Sequence, residues 1–370
     1  MKNLKFVYVF LLSSIPLIFL CGCSTGREVH EQLVIQGIAI DKEDVGYILT
    51  AQAYDFQNPK DEKEPSIRVI EVSGSTLPEA LENITQKTSL NPVYSQNMLI
   101  LMGESVANFG VNNFIDFFIR HCETRPKVKL CVCKGEASKF LKARRGGELI
   151  KAQSIHDLIS DELNSDVMHF VGNIRGEISD PYAAWIELNE SGENEFEVSF
   201  KGISLFHGDV IAGYLEEDEA FGFMLMKGIS KFGSCVVFDD VFGEVTCTAN
   251  KATVKILSEL RENLYPLFKI KLDIGMSAFS FDNKCRGSDD SNNMEKFNNN
   301  LEIKIQDILQ KSLAKMISIG SDAMGFGKIL RNMHPEYFKN LNENWKNIMS
   351  KCSYEVTQNA ALSITGKEIL

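Results

Sequence analysis

Residues 31–54 read EQLVIQGIAIDKEDVGYILTAQAY, and this stretch decides how the chain folds. Gln32 to Ile40 is an apolar run of β-favouring residues. Asp41-Lys42-Glu43-Asp44-Val45-Gly46 is a polar turn closed by glycine, and Tyr47 to Tyr54 is a second run. Two such runs joined by a short Asp/Gly-bearing loop predict a β-hairpin. Working outward, the charged segment Gln57 to Pro65 reads as a surface loop and Ile67 to Val72 as a third strand. A helix is expected next. Thr76 can cap it, Pro78 suits its first turn, and Leu77, Leu81 and Ile84 share one face. Met98 to Met102 and Lys127 to Cys133 read as further strands, with Phe109, Phe114, Phe117 and Phe118 in helical stretches between them. Strands and helices alternate irregularly, which predicts an α+β or mixed α/β fold.

Upstream of the hairpin lies MKNLKFVYVFLLSSIPLIFLCGC, residues 1–23. Lys2 and Lys5 give a basic start, Phe6 to Leu20 carries no charge, and Gly22 precedes Cys23. This is the layout of a secretory signal. The run is shorter than the roughly 18–20 apolar residues that span a bilayer comfortably. Leu20-Cys21-Gly22-Cys23 resembles a bacterial lipobox, so residues 1–22 are expected to be removed and the Cys23 thiol to carry a diacylglyceryl group. A signal cut elsewhere and an uncleaved anchor helix are the alternatives. Two buried acyl chains hold a protein stably on a membrane where one does not.

Composition narrows the partners. The chain has 370 residues, 44% hydrophobic and 24% charged, ordinary for a globular protein of two or three domains. Its formal net charge is −11, and loss of Lys2 and Lys5 with the signal would bring it to −13. That sign argues against nucleic acid as a partner and leaves membrane attachment to the acyl chains. Of nine cysteines, seven lie beyond Cys23, an odd number without a framework spacing, so at least one thiol is unpaired. As a strand, Lys127 to Cys133 puts Cys131 and Cys133 on one face. Buried or half-buried free thiols are the expectation. No Cys-x-x-Cys pair, His-Glu-x-x-His, Gly-x-Ser-x-Gly or phosphate-binding loop occurs, so no catalytic, cofactor or metal residue is nominated.

Further along, Gly146 to Gly233 reads as a middle segment. It has a helix around His156 to Ile159 and a strand from Phe196 to Phe206. A turn at His207-Gly208-Asp209 then leads into Val210 to Leu215. Glu216, Glu217, Asp218 and Glu219 open a helix where acids suit the dipole. The last segment holds β stretches at Cys235 to Phe242, Glu244 to Leu257 and Tyr265 to Phe281, then an exposed loop from Asp282 to Asn300. An amphipathic helix from Leu301 to Ile319 follows, with helical patches at Met324 to Met333 and Tyr337 to Met349. Tyr354, Val356, Ala360, Leu362 and Ile364 alternate in a closing strand, with Gln358 the exception.

Four pieces in order then carry a resemblance. Cys23 follows the signal; Glu31 to Lys42 is similar to an opening E-L-x-I-V-x-G-I-G-I-D-K. Phe206 to Leu215 resembles F-K-G-D-K-L-V-G-W-L. Asp322-Ala323-Met324-Gly325-Phe326-Gly327 with Tyr337, Phe338 and Trp345 resembles a late D-x-x-G-F-G … W pattern. The chain thus resembles the Ger(x)C family of spore germination lipoproteins, the C subunits of nutrient germinant receptors. Ser24-Thr25-Gly26 replaces the family's usual residues after the lipidated cysteine, and Tyr214 stands where a Trp is common. The resemblance implies an elongated, three-domain mixed α/β protein without catalytic residues. It would be anchored through Cys23 on the extracytoplasmic face of the spore inner membrane, with two integral-membrane subunits of A and B type as partners. Taken with the segment pattern, the expected division is 1–22 signal, 23–145, 146–233 and 234–370, each of the last three with its own sheet and packed helices. The Gly325-Phe326-Gly327 stretch also has a structural reading, a tight turn between helices with Phe326 in a core pocket. A solute-binding lipoprotein, which would show two alternating βα lobes, and a cell-wall hydrolase, which would show convergent carboxylates in a cleft, are the competing functional readings.

Overall fold

The computed structural model describes residues 31–362 apart from 57–65, 122–124, 177, 232, 263–264, 279–290 and 342–343. Strand β1 (Gln32–Lys42) and strand β2 (Tyr47–Asp55) form the expected antiparallel hairpin with Ile38 opposite Ala51, and β3 (Ser66–Gly74) extends it. Helix α1 (Leu77–Thr88) is capped as its sequence requires: Thr76 Oγ1 accepts the Glu79 N–H at 3.4 Å, and Leu77, Ala80, Leu81 and Ile84 are buried. Strand β4 (Asn91–Val93) and strand β5 (Leu99–Gly103) lie parallel to β1. Helices α2 (Glu104–Phe109) and α3 (Asn112–His121) lead to β6 (Lys129–Cys133), parallel to β5. Helix α4 (Ala137–Lys142), a short β7/β8 ribbon (Arg144–Arg145, Glu148–Leu149), α5 (Ala152–Leu158) and α6 (Val167–Gly176) follow.

Strand β9 (Tyr182–Gly192) then pairs parallel with β6, Cys131 opposite Ala184. Strands β10 (Glu195–His207) and β11 (Val210–Glu216) add antiparallel to it. The result is one nine-stranded sheet in the order β11-β10-β9-β6-β5-β1-β2-β3, with β4 beside β1. The boundary expected near residue 145 therefore falls between strands of a single sheet. The reason lies in β5 and β6, whose every residue is buried. Such strands need neighbours on both edges and cover on both faces, and β9 supplies the free edge of β6. On one face α1, α3 and α6 pack through Leu81, Ile84, Phe114, Phe118 and Phe170, the last against Phe206 of β10. On the other, Cys131, Cys133 and Phe140 belong to a core that continues without a break into the C-terminal part.

That part begins with α7 (Glu217–Met226). Its four-stranded sheet has the order β12-β13-β14-β15: β12 (Ser234–Asp239), β13 (Gly243–Glu259), β14 (Leu267–Ala278) and β15 (Ser353–Leu362). Helix α8 (Ser291–Ile319) crosses it and buries Leu301, Ile305, Ile308, Leu309 and Met316 completely. The helix starts well before Leu301, so the expected loop over 282–300 is overturned for residues 291–300. Asn-rich sequence is a weak helix former, but Phe297 is fully buried against Phe242 (5.7 Å between rings) and Asn300 Nδ2 donates to Asp239 Oδ2 at 2.8 Å. Helix α9 (Phe326–Met333) follows. The expected single helix over 337–349 is two, α10 (Pro335–Lys339) and α11 (Trp345–Met349), because Asn344 caps the second by accepting the Lys346 N–H. β15 runs parallel to β14, which demands the long crossover that these helices provide. Gln358, the polar exception in the closing strand, donates to the Glu302 carbonyl of α8 at 3.0 Å.

Candidate functional site

The sequence motifs converge where the two sheets meet. Asp180, just ahead of β9, is 1% exposed; its carboxylate accepts from the Gly208 N–H (2.8 Å), the Asp322 N–H (2.9 Å) and Lys346 Nζ (2.7 Å). Asp322, completely buried, accepts from the Phe326 N–H (2.7 Å), the Gly327 N–H (2.8 Å) and Trp345 Nε1 (2.8 Å). The backbone closes the pair from the other side, with Asp180 N–H donating to the Asp322 carbonyl at 3.1 Å. Ser321 Oγ donates to the Phe206 carbonyl at 2.7 Å, and His207 Nδ1 lies 3.3 Å from the Gly320 carbonyl. The β10–β11 turn of the first sheet is thereby bonded to the segment between α8 and α9.

Local sequence explains the geometry. Gly325 adopts φ +79°, which a side chain would resist, and this turns the chain so that the first N–H groups of α9 point at Asp322. A carboxylate at a helix start is favoured by the dipole and by the unpaired N–H groups there. Gly327 admits Trp345: a Cβ on Gly327 would stand 2.5 Å from Trp345 Nε1. Beneath lies an aromatic cluster, Phe326 at 4.9 Å from Phe268 and 5.0 Å from Tyr354 between ring centroids. Phe326 is fully buried, as the turn-and-pocket reading expects.

Burial pushes the Asp322 carboxyl up to about 6 against the hydrogen bonds from Gly327, Trp345 and Phe326, and the neighbouring Asp180 pushes the same way. Lys227, at the end of α7, is drawn down to about 8 by burial, with Asp322 opposing. Its Nζ donates to the Ala323 carbonyl at 3.0 Å and sits 4.9 Å from the centre of the Tyr182 ring. The carboxylates are filled by donors of the protein itself and closed from solvent. This chemistry fastens two sheets.

The opening motif is also spent inside the fold, within the first part alone. Asp41 accepts from the Ala137 N–H and Ser138 N–H, both at 2.8 Å, and so caps α4; its own carboxyl is raised chiefly by burial, opposed by those two bonds. In the second motif, Asp209 Oδ2 accepts the Asn112 N–H (3.2 Å) at the start of α3. Tyr214 stacks on Trp185 (4.2 Å) and donates to Glu104 Oε1 at 3.3 Å. The acids opening α7 divide their duties: Asp218 pairs with Lys304 (2.7 Å) and Glu216 with Lys201 (3.3 Å). Cys23 lies outside the described residues. Cys131, Cys133, Cys235, Cys247 and Cys352 are free, and the first two are fully buried on one face. Among the described residues no group of three or more His, Cys, Asp and Glu is placed to hold a metal, and no helix is long and apolar enough to cross a membrane. Sequence reasoning missed Asp180, Lys227 and Lys346. The signal for Asp180 was thin, an Asp-Pro step before a strand, and its partners lie far along the chain.

Comparison with known proteins also gives two parts, with a boundary that falls within strands β9 and β10 of the large sheet. The family model described as spore germination protein N-terminal domain matches residues 26–188, and that described as spore germination B3/GerAC like, C-terminal, matches residues 201–366. The chain belongs to the GerAC-like family of spore germination proteins. This GerAC-like chain is 24% identical over 364 residues to spore germination protein B3 of Bacillus subtilis strain 168, covering 95% of each. It is 22% identical over 227 residues to the putative spore germination protein YfkR of the same strain, covering 58% of this chain and 59% of the relative. In fold it is similar to the crystal structure of the GerBC protein, with a TM-score of 0.56 and 19% identity over 88% of this chain and 96% of that one.

Proposed function

We propose that this GerAC-like protein is the lipid-anchored C subunit of a spore nutrient germinant receptor. It is held through Cys23 on the extracytoplasmic face of the spore inner membrane and acts by assembly with two integral-membrane subunits, not by catalysis. The observation that carries the reading is the use made of the family motifs. Asp41 is spent on capping α4 beside the large sheet, Asp322 and Trp345 on each other, and Gly208 and Asp322 on Asp180, which joins the two sheets. A scaffold is what such residues build, and the lipobox-like Leu20 to Cys23 supplies a place to hold it. Confinement to the membrane plane raises effective concentration toward membrane-bound partners, so weak contacts suffice. The test is affinity capture of the tagged full chain from solubilised spore membranes. Recovery of two polytopic proteins with it is expected. Capture without any polytopic protein, or turnover of peptidoglycan by the purified chain, would overturn the proposal. Loss of the gene is expected to abolish the response to one nutrient set and leave vegetative growth unchanged.

A further inference from the structure

The register of the second sheet sets two cysteines face to face. In the antiparallel pairing of β12 with β13, Cys235 stands directly opposite Cys247. The pleat turns both toward the core: Cys235 is 2% exposed and Cys247 fully buried, whereas Val236 and Phe238 on the other face of β12 are 51% and 69% exposed. The structure holds the pair as a dithiol. Directly opposed residues in such a ladder have Cα atoms about 4.5–5.5 Å apart, inside the window of about 4.4–6.8 Å that a disulfide requires. Their Cβ atoms lie about 4.5–5.5 Å apart, against about 3.5–4.5 Å in a disulfide. Strand β12 can supply that small approach, because it is an edge strand, laddered among the described residues to β13 alone.

The other described thiols are not so placed. Cys131 lies opposite Leu101 and Ala184, and Cys133 opposite Gly103 and Ile186. Cys352 precedes β15, and its Sγ donates to the Ile348 carbonyl at 3.4 Å. The β12–β13 hairpin also has a use for a staple. Its turn end is pinned by Asp239, which accepts from the Val241 N–H (2.9 Å), the Phe242 N–H (3.1 Å) and Asn300 Nδ2 (2.8 Å). Cys235 lies toward its open end, on an edge whose exposed Val236 and Phe238 invite pairing with another chain.

We propose that Cys235 and Cys247 form a cross-strand disulfide that staples β12 to β13. The inference rests on the anchor reading above, which puts the chain on the oxidising side of the membrane. The bond forms by exchange with a disulfide-bearing oxidant. One cysteine thiolate attacks a sulfur of the oxidant and expels the first thiol; the second attacks the resulting mixed disulfide at the cysteine sulfur and expels the other. The two cysteines lose two protons and two electrons, and the oxidant leaves as two thiols. Burial pushes the Cys235 thiol up to about 12 and that of Cys247 up to about 11, so closure belongs to the formation of the hairpin, before α7 and α8 cover it. Once shut, the bond is closed to reductants by the same burial.

The test maps thiols in the full chain purified from spore membranes. Thiols are blocked with iodoacetamide in urea at lysis, and the chain is digested without reductant. No Lys or Arg lies between Phe232 and Asn250, so trypsin releases both cysteines in one peptide ending at Lys251. That peptide is expected unalkylated and lighter by two hydrogens than the dithiol. Chymotrypsin, cutting after Phe238 and Phe242, is expected to give two fragments that separate only on reduction. Alkylation of both cysteines, or a bond from either to a different cysteine, overturns the proposal. A second measurement separates its premises: the chain is reduced in urea and refolded with oxidised glutathione. Closure there, beside a dithiol in the membrane-derived chain, places the fault in the anchor reading. Failure to close, or lasting glutathione adducts on either cysteine, places it in the strand geometry. Amide exchange at Val236 and Val237 is expected to be at least about tenfold slower in the oxidised chain than in the same chain reduced with a phosphine. Equal rates overturn the stapling role.

Discussion

Replacing Asp322 by Ala is the sharpest probe of the junction. The change strands three buried donors, the N–H groups of Phe326 and Gly327 and the indole N–H of Trp345. A buried donor left without a partner costs about 1–3 kcal/mol, so the gross loss is about 3–9 kcal/mol. Against this stands the relief of a carboxyl whose burial raises it from 3.8 to about 6. Because the folded-state value lies above the unfolded one, the fold takes up a proton as pH falls from about 6 to about 4. Stability from this group is then fully present below that window and is diminished above it, by about 3 kcal/mol at 1.36 kcal/mol per unit. Subtracting that relief leaves a net deficit of a few kcal/mol at pH 7.5. At pH 4.5 most of the relief has vanished, because the wild-type group is already protonated, and the deficit is expected to be about 2 kcal/mol larger. Urea unfolding of the full chain, followed by circular dichroism at the two pH values, measures both numbers. A deficit below about 1 kcal/mol, or one that is the same at both pH values, would refute the account of Asp322 as a buried, donor-saturated carboxylate.

Three further outcomes are expected. Gly327→Ala places a methyl 2.5 Å from Trp345 Nε1 and should lower stability by about 1–3 kcal/mol through the displaced indole, read from the urea midpoint and from Trp fluorescence. Cys131 and Cys133, their thiols pushed far up by burial, should resist iodoacetamide at pH 8 in the native protein and react fully in urea, as mapped by mass spectrometry. Cys23→Ala should leave an uncleaved chain that no longer carries lipid; a mature-sized product still fractionating with membrane would contradict the proposed anchor.

Local chemistry was legible in the sequence. The β1–β2 hairpin, the Thr76 cap, the strand bearing Cys131 and Cys133 and the helix body from Leu301 onward follow from alternation, capping residues and apolar periodicity, all of which act within a few positions. The mixed α/β class and the order of four motifs were readable for the same reason. What the motifs are for was not. Asp180 meets Asp322 across 142 positions and Lys346 across 166, and no local pattern encodes a hydrogen bond at that separation. The same limit hid the pairing of β6 with β9, which carries one sheet across the expected boundary near residue 145, and the first ten residues of α8, whose Asn-rich sequence is outweighed by the burial of Phe297. Sequence alone determined the elements and the compartment signal to be tested. Tertiary structure decided which strands share a sheet and where the buried charges go, because burial and long-range pairing are properties of the assembled core.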